Sequence, residues 1–204
     1  MDKIKIKIIL GSIREGRFGE RPANWINEEL KNWEGVDAEL LDLKDYPMPF
    51  FDAPMGPSMM NMKYPNETVQ KWSDKIKEAD AFIVVSPEYN HGYSSVLKNA
   101  LDWLGPEWSM KPAGFVSYGS VSGARAIEQL RTVAIELNMV PIKKSIHIGW
   151  EFMMSAWNNK SISNADLFAP LRKGTGPMGS DHLAAFMENL LWMARALKSA
   201  RQSA

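Results

Sequence analysis

The chain has 204 residues, balances 24 Lys plus Arg against 24 Asp plus Glu, and contains no cysteine. The missing cysteines exclude disulfides, thiolate nucleophiles and cysteine-held metals, and the zero net charge gives no pull toward nucleic acid or an anionic membrane. Apolar residues at 45% and charged residues at 24% suit one soluble α/β domain with a sizeable core.

The chain opens MDKIKIKIIL, an apolar run too short for a signal segment or a membrane span, so a cytoplasmic protein is expected. Ile4, Ile6 and Ile8 alternate with Lys5 and Lys7 before Ile9 and Leu10, predicting a strand that starts half-exposed and ends buried. Ala23, Ile26, Leu30 and Trp33 mark a helix face, with Pro22 placed for its first turn. A second strand is expected over Asp37–Leu43, then a long loop over 44–66 that carries five prolines. Val69, Trp72, Ile76 and Ala79 mark the next helix, and the wholly apolar Ala81–Val85 predicts a central strand covered on both faces. Val96, Leu97, Ala100, Leu101 and Leu104 then form a helical stripe, Ala113–Tyr118 a fourth strand, and Ala126 to Leu137 an amphipathic helix. Pro141–Ile148 predicts the fifth strand, 149–179 reads as irregular, and Leu183 to Leu197 predicts the closing helix.

This β-α alternation implies one domain over 1–204: a doubly wound, five-stranded parallel sheet of flavodoxin-like order 2-1-3-4-5. The first βα turn lacks both the G-x-G-x-x-G of dinucleotide folds and the G-x-x-x-x-G-K-S/T of a P-loop. In such sheets ligands bind at the carboxyl ends of the strands, and two loops there carry chemistry. The first, Gly11–Arg21, sets a Ser12 hydroxyl and the cations of Arg14, Arg17 and Arg21 beside a helix N-terminus, which suits phosphate. A solvated basic turn, its arginines paired with Glu15 and Glu20, is the plainer alternative. The second, SPEYNHGYSS from Ser86, is rich in turn formers; there Asn90 and Gly92 serve a turn, and Glu88 serves as a cap, on the plainer reading. His91, His147 and His182 lack metal-ligand spacing, and no Ser-His-Asp elbow is present, so neither a metal site nor a protein nucleophile is expected.

GSIREGR after the first strand and SPEYNHGYSSVLKNALDW after the third resemble the NADPH-dependent FMN reductases, a family that includes quinone and azo-dye reductases. The resemblance is tight over 4–25 and 80–125. It implies FMN phosphate at Ser12, Arg14 and Arg17, with Arg21 nearby. It implies a flavin wrapped by Pro87, Glu88, Tyr89 and Asn90, and met by the loop holding Ser117, Gly119, Ser120 and Gly123. It further implies NADPH or NADH as co-substrate and a small-molecule acceptor (quinone, flavin, azo compound or metal ion), reached in ping-pong order by a homodimer or homotetramer. The cofactor then carries the chemistry, and no catalytic side chain is expected. The aromatic 149–179 segment is expected as a flap over the flavin or a dimer contact. Two competing readings remain: a flavodoxin-type electron carrier, against which the balanced charge argues, and a non-catalytic flavin-binding module.

Overall fold

A computed structural model describes residues 2–174 and 182–203. Five parallel strands form one sheet in the order β2-β1-β3-β4-β5: β1 Ile4–Leu10, β2 Val36–Asp42, β3 Ala81–Pro87, β4 Pro112–Tyr118 and β5 Val140–Ile148. Their registers align Leu10 with Asp42 and Val85, Pro87 with Tyr118, and Tyr118 with Ile148. The carboxyl ends therefore share one edge, from which every β→α loop departs. β3 is buried at all seven positions, the central strand its apolar sequence predicts.

The alternation of side chains along the strands divides the core between the two faces. Ile4, Ile6, Ile8 and Leu10 of β1 pack on one face, beneath α1 (Glu20–Leu30) and α8 (Leu183–Ser203). Ile9 packs on the other with α2 (Glu67–Lys77), α3 (Ser95–Asp102) and α4 (Ala124–Glu136). Lys7, expected on an exposed position, is buried, its ammonium paired with Glu39 and, at 2.7 Å, with Glu78. Helix starts follow the chemistry of their caps. Asn66 accepts from Thr68 N (2.9 Å) and Val69 N (3.1 Å) ahead of α2, and Ser94 accepts from Leu97 N (3.3 Å) ahead of α3.

The loop over 44–66 is long and proline-rich as expected, with only single 3₁₀ turns at Leu43–Asp45 and Pro57–Met59. It is strapped to α3. Asn99 donates to Pro49 O (2.8 Å) and accepts from Phe51 N (2.9 Å), while Trp103 Nε1 donates to the same Pro49 O (2.7 Å).

The 149–179 segment, expected as irregular, instead carries α5 (Trp150–Asn158), α6 (Asn164–Leu167) and α7 (Ala169–Lys173). Phe152, Leu167, Phe168 and Leu171 are buried against the α1 face, which gives these short helices a reason to form. Phe168 lies 5.0 Å from Trp25 and 5.9 Å from Phe152, ring to ring. Residues 175–179, the end of that segment, lie outside the described residues.

Candidate active site

The loop after β1 is held from beneath. Gly11 N donates to Val85 O (2.8 Å), and the buried Ser94 hydroxyl donates to Gly11 O. A side chain at Gly11 would meet Val85 O at 3.1 Å and Leu97 Cδ2 at 2.9 Å, so glycine lets the loop sit directly on β3. The N–H groups of Ser12, Ile13 and Arg14 donate to no other group among the described residues. They stand beside the start of α1, where unpaired donors and the helix dipole favour an anion. Ser12 is buried, its hydroxyl 3.0 Å from Tyr89 Oη across the gap between the first and third βα loops. Arg14 is exposed, sits 5.6 Å from the Tyr89 ring centroid and forms no ion pair among the described residues.

Arg17, expected at the phosphate, is differently engaged. Its buried guanidinium forks onto both oxygens of Asp42 at the end of β2, donates through Nε to Glu20 (2.9 Å), and reaches Ser12 O. Burial pulls its pKa down, but the bonds to Asp42 and Glu20 outweigh that, and the cation is held above its ordinary value. Arg17 thus fastens the loop to β2. Arg21 turns away from the loop to Asn164 Oδ1 and Ile162 O (2.5 Å), tying α1 to α6.

The loop after β3 is a tight hairpin. Tyr89 and Gly92 exchange backbone bonds of 2.8 and 3.0 Å around Asn90 (φ 49°) and His91 (φ 70°), the left-handed pair of a type I′ turn. Glu88 N donates to Tyr118 O (2.9 Å), while the buried Glu88 carboxylate caps α4, accepting from Arg125 N (3.1 Å) and Nε (2.6 Å). Arg125 Nη1 also lies 2.8 Å from His91 Nε2, so the hairpin is clamped to α4. Pro87 is buried at the end of β3, whereas Tyr89 is half-buried and Asn90 exposed at the edge.

The loop after β4 brings Gly119 and Ser120 to the same edge and returns through Gly123 (φ 71°) into α4. A Cβ at Gly123 would lie 2.0 Å from Ser117 Oγ, so only glycine closes this turn. Ser117 itself is buried beneath the loop, donating to Ser86 O (2.8 Å). The backbone N–H groups of Asn90, His91, Ser120 and Val121 remain uncommitted among the described residues.

Three residues to which the sequence reading gave no role of their own prove integral. Asp42 neutralises Arg17, and Ser94 holds Gly11 while capping α3. Tyr118 places a buried hydroxyl under the first loop, beside Gly19, with no partner at hydrogen-bond geometry. Burial, with Tyr89 nearby, pushes the Tyr118 pKa up and keeps that hydroxyl protonated. Ser94 carried a legible signal, an N-cap residue ahead of an apolar stripe. The roles of Asp42 and Tyr118 depend on strand register, which the sequence does not display.

Over residues 4–151 the chain matches the family described as NADPH-dependent FMN reductase. The chain belongs to this family. It is 42% identical over 135 residues to an NAD(P)H-dependent FMN reductase of Schizosaccharomyces pombe, covering 66% of this chain and 68% of that one. It is 32% identical over 168 residues to an NAD(P)H:quinone oxidoreductase of Solanum tuberosum, covering 80% and 81%. Its fold is also that of FerB, a flavoenzyme NAD(P)H:(acceptor) oxidoreductase from Paracoccus denitrificans, at TM-score 0.55 and 18% identity over 95% of this chain and 94% of that one. As an FMN reductase, the protein is an oxidoreductase with FMN as cofactor and NAD(P)H as electron donor. The site suits FMN on its own chemistry: the uncommitted N–H groups of Ser12–Arg14 and the unpaired Arg14 lie together near a helix start, a donor set suited to a phosphate monoester.

Proposed function

We propose that the protein oxidises NAD(P)H in ping-pong order and passes the electrons to a small acceptor, a quinone, free flavin, azo compound or metal ion. The observation that carries this reading is the convergence of the Ser12–Arg14 loop and Tyr89, bridged by the 3.0 Å Ser12–Tyr89 contact. When bound, FMN supplies hydride acceptance and donation.

The chain's own residues bind and orient. Arg14, the Ser12 hydroxyl and the N–H groups of Ser12–Arg14 hold the phosphate, and Arg17 keeps their loop in shape through Asp42. Tyr89 lines the approach to the ring. The N–H groups of Asn90, His91, Ser120 and Val121 face the ring's carbonyl edge, where donors stabilise the negative charge that reduction places there. Pro87, Glu88, Ser117, Gly119 and Gly123 shape these two loops from behind. With no charged side chain needed for the transfer itself, nicotinamide and acceptor take turns on one exposed face.

On this reading the enzyme works in the cytoplasm as a homodimer or homotetramer. The exposed Phe50 and Phe51, on the loop strapped to α3, support self-association. Among the described residues no helix is long and apolar enough to cross a membrane. The test is an absorbance spectrum with added FMN, followed by anaerobic NADPH. A bound-flavin spectrum that bleaches, and recovers on adding a quinone, is expected. Flavin bound but unbleached favours an electron carrier, and no binding refutes the site.

A further inference from the structure

We infer that the His91 imidazole donates from Nδ1 to a carbonyl oxygen of a quinone acceptor and stabilises the charge that reduction places there, so that His91 favours quinones over acceptors with no such oxygen. The inference rests on the reductase reading above and adds one side chain to its acceptor step.

His91 is exposed at the tip of the hairpin after β3, among the backbone N–H groups assigned above to the ring's carbonyl edge. Its imidazole is nevertheless held in place. Nε2 lies 2.8 Å from Arg125 Nη1, and a guanidinium can only donate. Nε2 is therefore the acceptor, and the neutral ring carries its hydrogen on Nδ1. Arg125 is fixed in turn by the buried Glu88 carboxylate, which takes its Nε (2.6 Å), its Nη2 and its backbone N–H (3.1 Å). Gln129 Nε2 donates to His91 O (2.9 Å), so α4 grips both the ring and the backbone of this residue. A buried acid, an arginine and a histidine thus form a chain that ends in one N–H donor. That donor, Nδ1, has no partner among the described residues.

A turn by itself does not call for this chain, because Tyr89 and Gly92 already close the hairpin through their backbones. Other side chains of the hairpin are spent or loose. Tyr89 meets Ser12, Glu88 meets Arg125, and the exposed Asn90 amide is oriented by nothing among the described residues. A fixed neutral donor suits the acceptor step. A quinone takes up one hydride: the N–H bond at N5 of the reduced flavin breaks, and an O–H bond forms at one quinone oxygen. The other oxygen keeps the negative charge until solvent protonates it. The same two electrons oxidise the flavin and reduce the quinone. A donor already aimed at that second oxygen meets the charge as it develops and needs no rearrangement. Neutral imidazole serves as an electrophile in this way. Ferricyanide takes single electrons and has no carbonyl oxygen, so it gains nothing from the Nδ1 donor.

The test compares single-turnover reoxidation of NADPH-reduced enzyme by menadione and by ferricyanide. His91→Phe keeps the backbone N–H and a ring's bulk but loses the donor, and should lower the menadione-to-ferricyanide rate ratio about tenfold or more. His91→Asn, a residue suited to the left-handed φ of 70°, should lower the ratio likewise and covers the case in which Phe disturbs the hairpin. In oxidised, FMN-loaded protein, 4-nitrophenolate should bind about tenfold more tightly than 4-nitroanisole by calorimetry, and either variant should abolish that preference. Nitrogen NMR of the imidazole should place the hydrogen on Nδ1. An unchanged rate ratio, a phenolate preference that survives both variants, or a hydrogen on Nε2 overturns the inference. A loss that falls equally on both acceptors marks a structural clamp and overturns it too. Protein that takes up FMN and bleaches with NADPH but gives any of these results keeps the reductase reading. Protein that never takes up FMN loses both.

Discussion

Only three positions separate Arg14 from Arg17, yet burial divides their work: Arg14 is exposed and unpaired, while Arg17 is 7% exposed and committed to Asp42, Glu20 and Ser12 O. Arg14→Gln should weaken FMN about tenfold or more through the lost phosphate contact, leaving riboflavin binding and melting temperature nearly unchanged. Arg17→Gln acts through the loop, so FMN and riboflavin should weaken together; fluorescence titration of both flavins separates the two cases. Asp42→Asn leaves the buried guanidinium with the half-exposed Glu20 as its one carboxylate partner among the described residues and should destabilise the fold by about 3 kcal/mol in denaturant unfolding. Gly123→Ala forces a Cβ into Ser117 and a strained φ of 71°, and should cost about 1–3 kcal/mol or more. The sequence displayed all of these residue types. Which cation stays free and which is neutralised depends on Asp42 ending a strand that lies beside β1, information carried by register alone.

At the scale of elements, the strands and long helices were legible because their apolar residues recur at period two or 3.6. Pro87 extends β3 past the apolar run since its strand partner Tyr118 continues the pairing. The 149–179 segment was less legible. Its helices are short, and their burial comes from the α1 face, not from an internal stripe. Phe168 packs against Trp25, Phe152 and Phe18, so Phe168→Ala should cost about 3–5 kcal/mol. That anchors the described part of the segment to the core through Phe152, Leu167, Phe168 and Leu171, while Trp150 and Trp157 stay exposed on its outer side. A variant that loses flavin affinity with unchanged unfolding energy would contradict this placement. The SPEYNHGYSSVLKNALDW signature likewise resolves into separate duties: a hairpin for the edge, Ser94 for Gly11, and Asn99 with Trp103 for the 44–66 loop.

For the whole molecule, pH acts through buried groups on both edges of the sheet, Lys111 at the edge opposite the site among them. Burial brings the Lys111 ammonium down to about 8 even though it caps α2, donating to Ile76 O (2.8 Å) and Lys77 O (3.1 Å). Below pH 8 both folded and unfolded chains carry this proton, so the cost of burying the charge is fully present. Between about pH 8 and 10.4 the unfolded chain holds more of the proton, and this group's contribution raises stability with pH. Tyr64, Tyr93 and Tyr118 act in the opposite sense above about pH 10, where the unfolded chain ionises first and burial resists ionisation in the fold. Unfolding free energies should therefore rise from pH 8 toward 10 and fall beyond, and Lys111→Met should remove the rise.

The five-stranded doubly wound fold, the family and its flavin were already legible in the sequence. Those follow from local periodicity and from two short motifs, one after the first strand and one after the third. The tertiary structure decided which of the clustered charges are available. Arg17 meets Asp42, Glu88 meets Arg125, and Tyr118 lies under Ser12's loop. Each pairing joins residues on different elements, and the electrostatics of a site depend on separation in space, which sequence spacing does not contain.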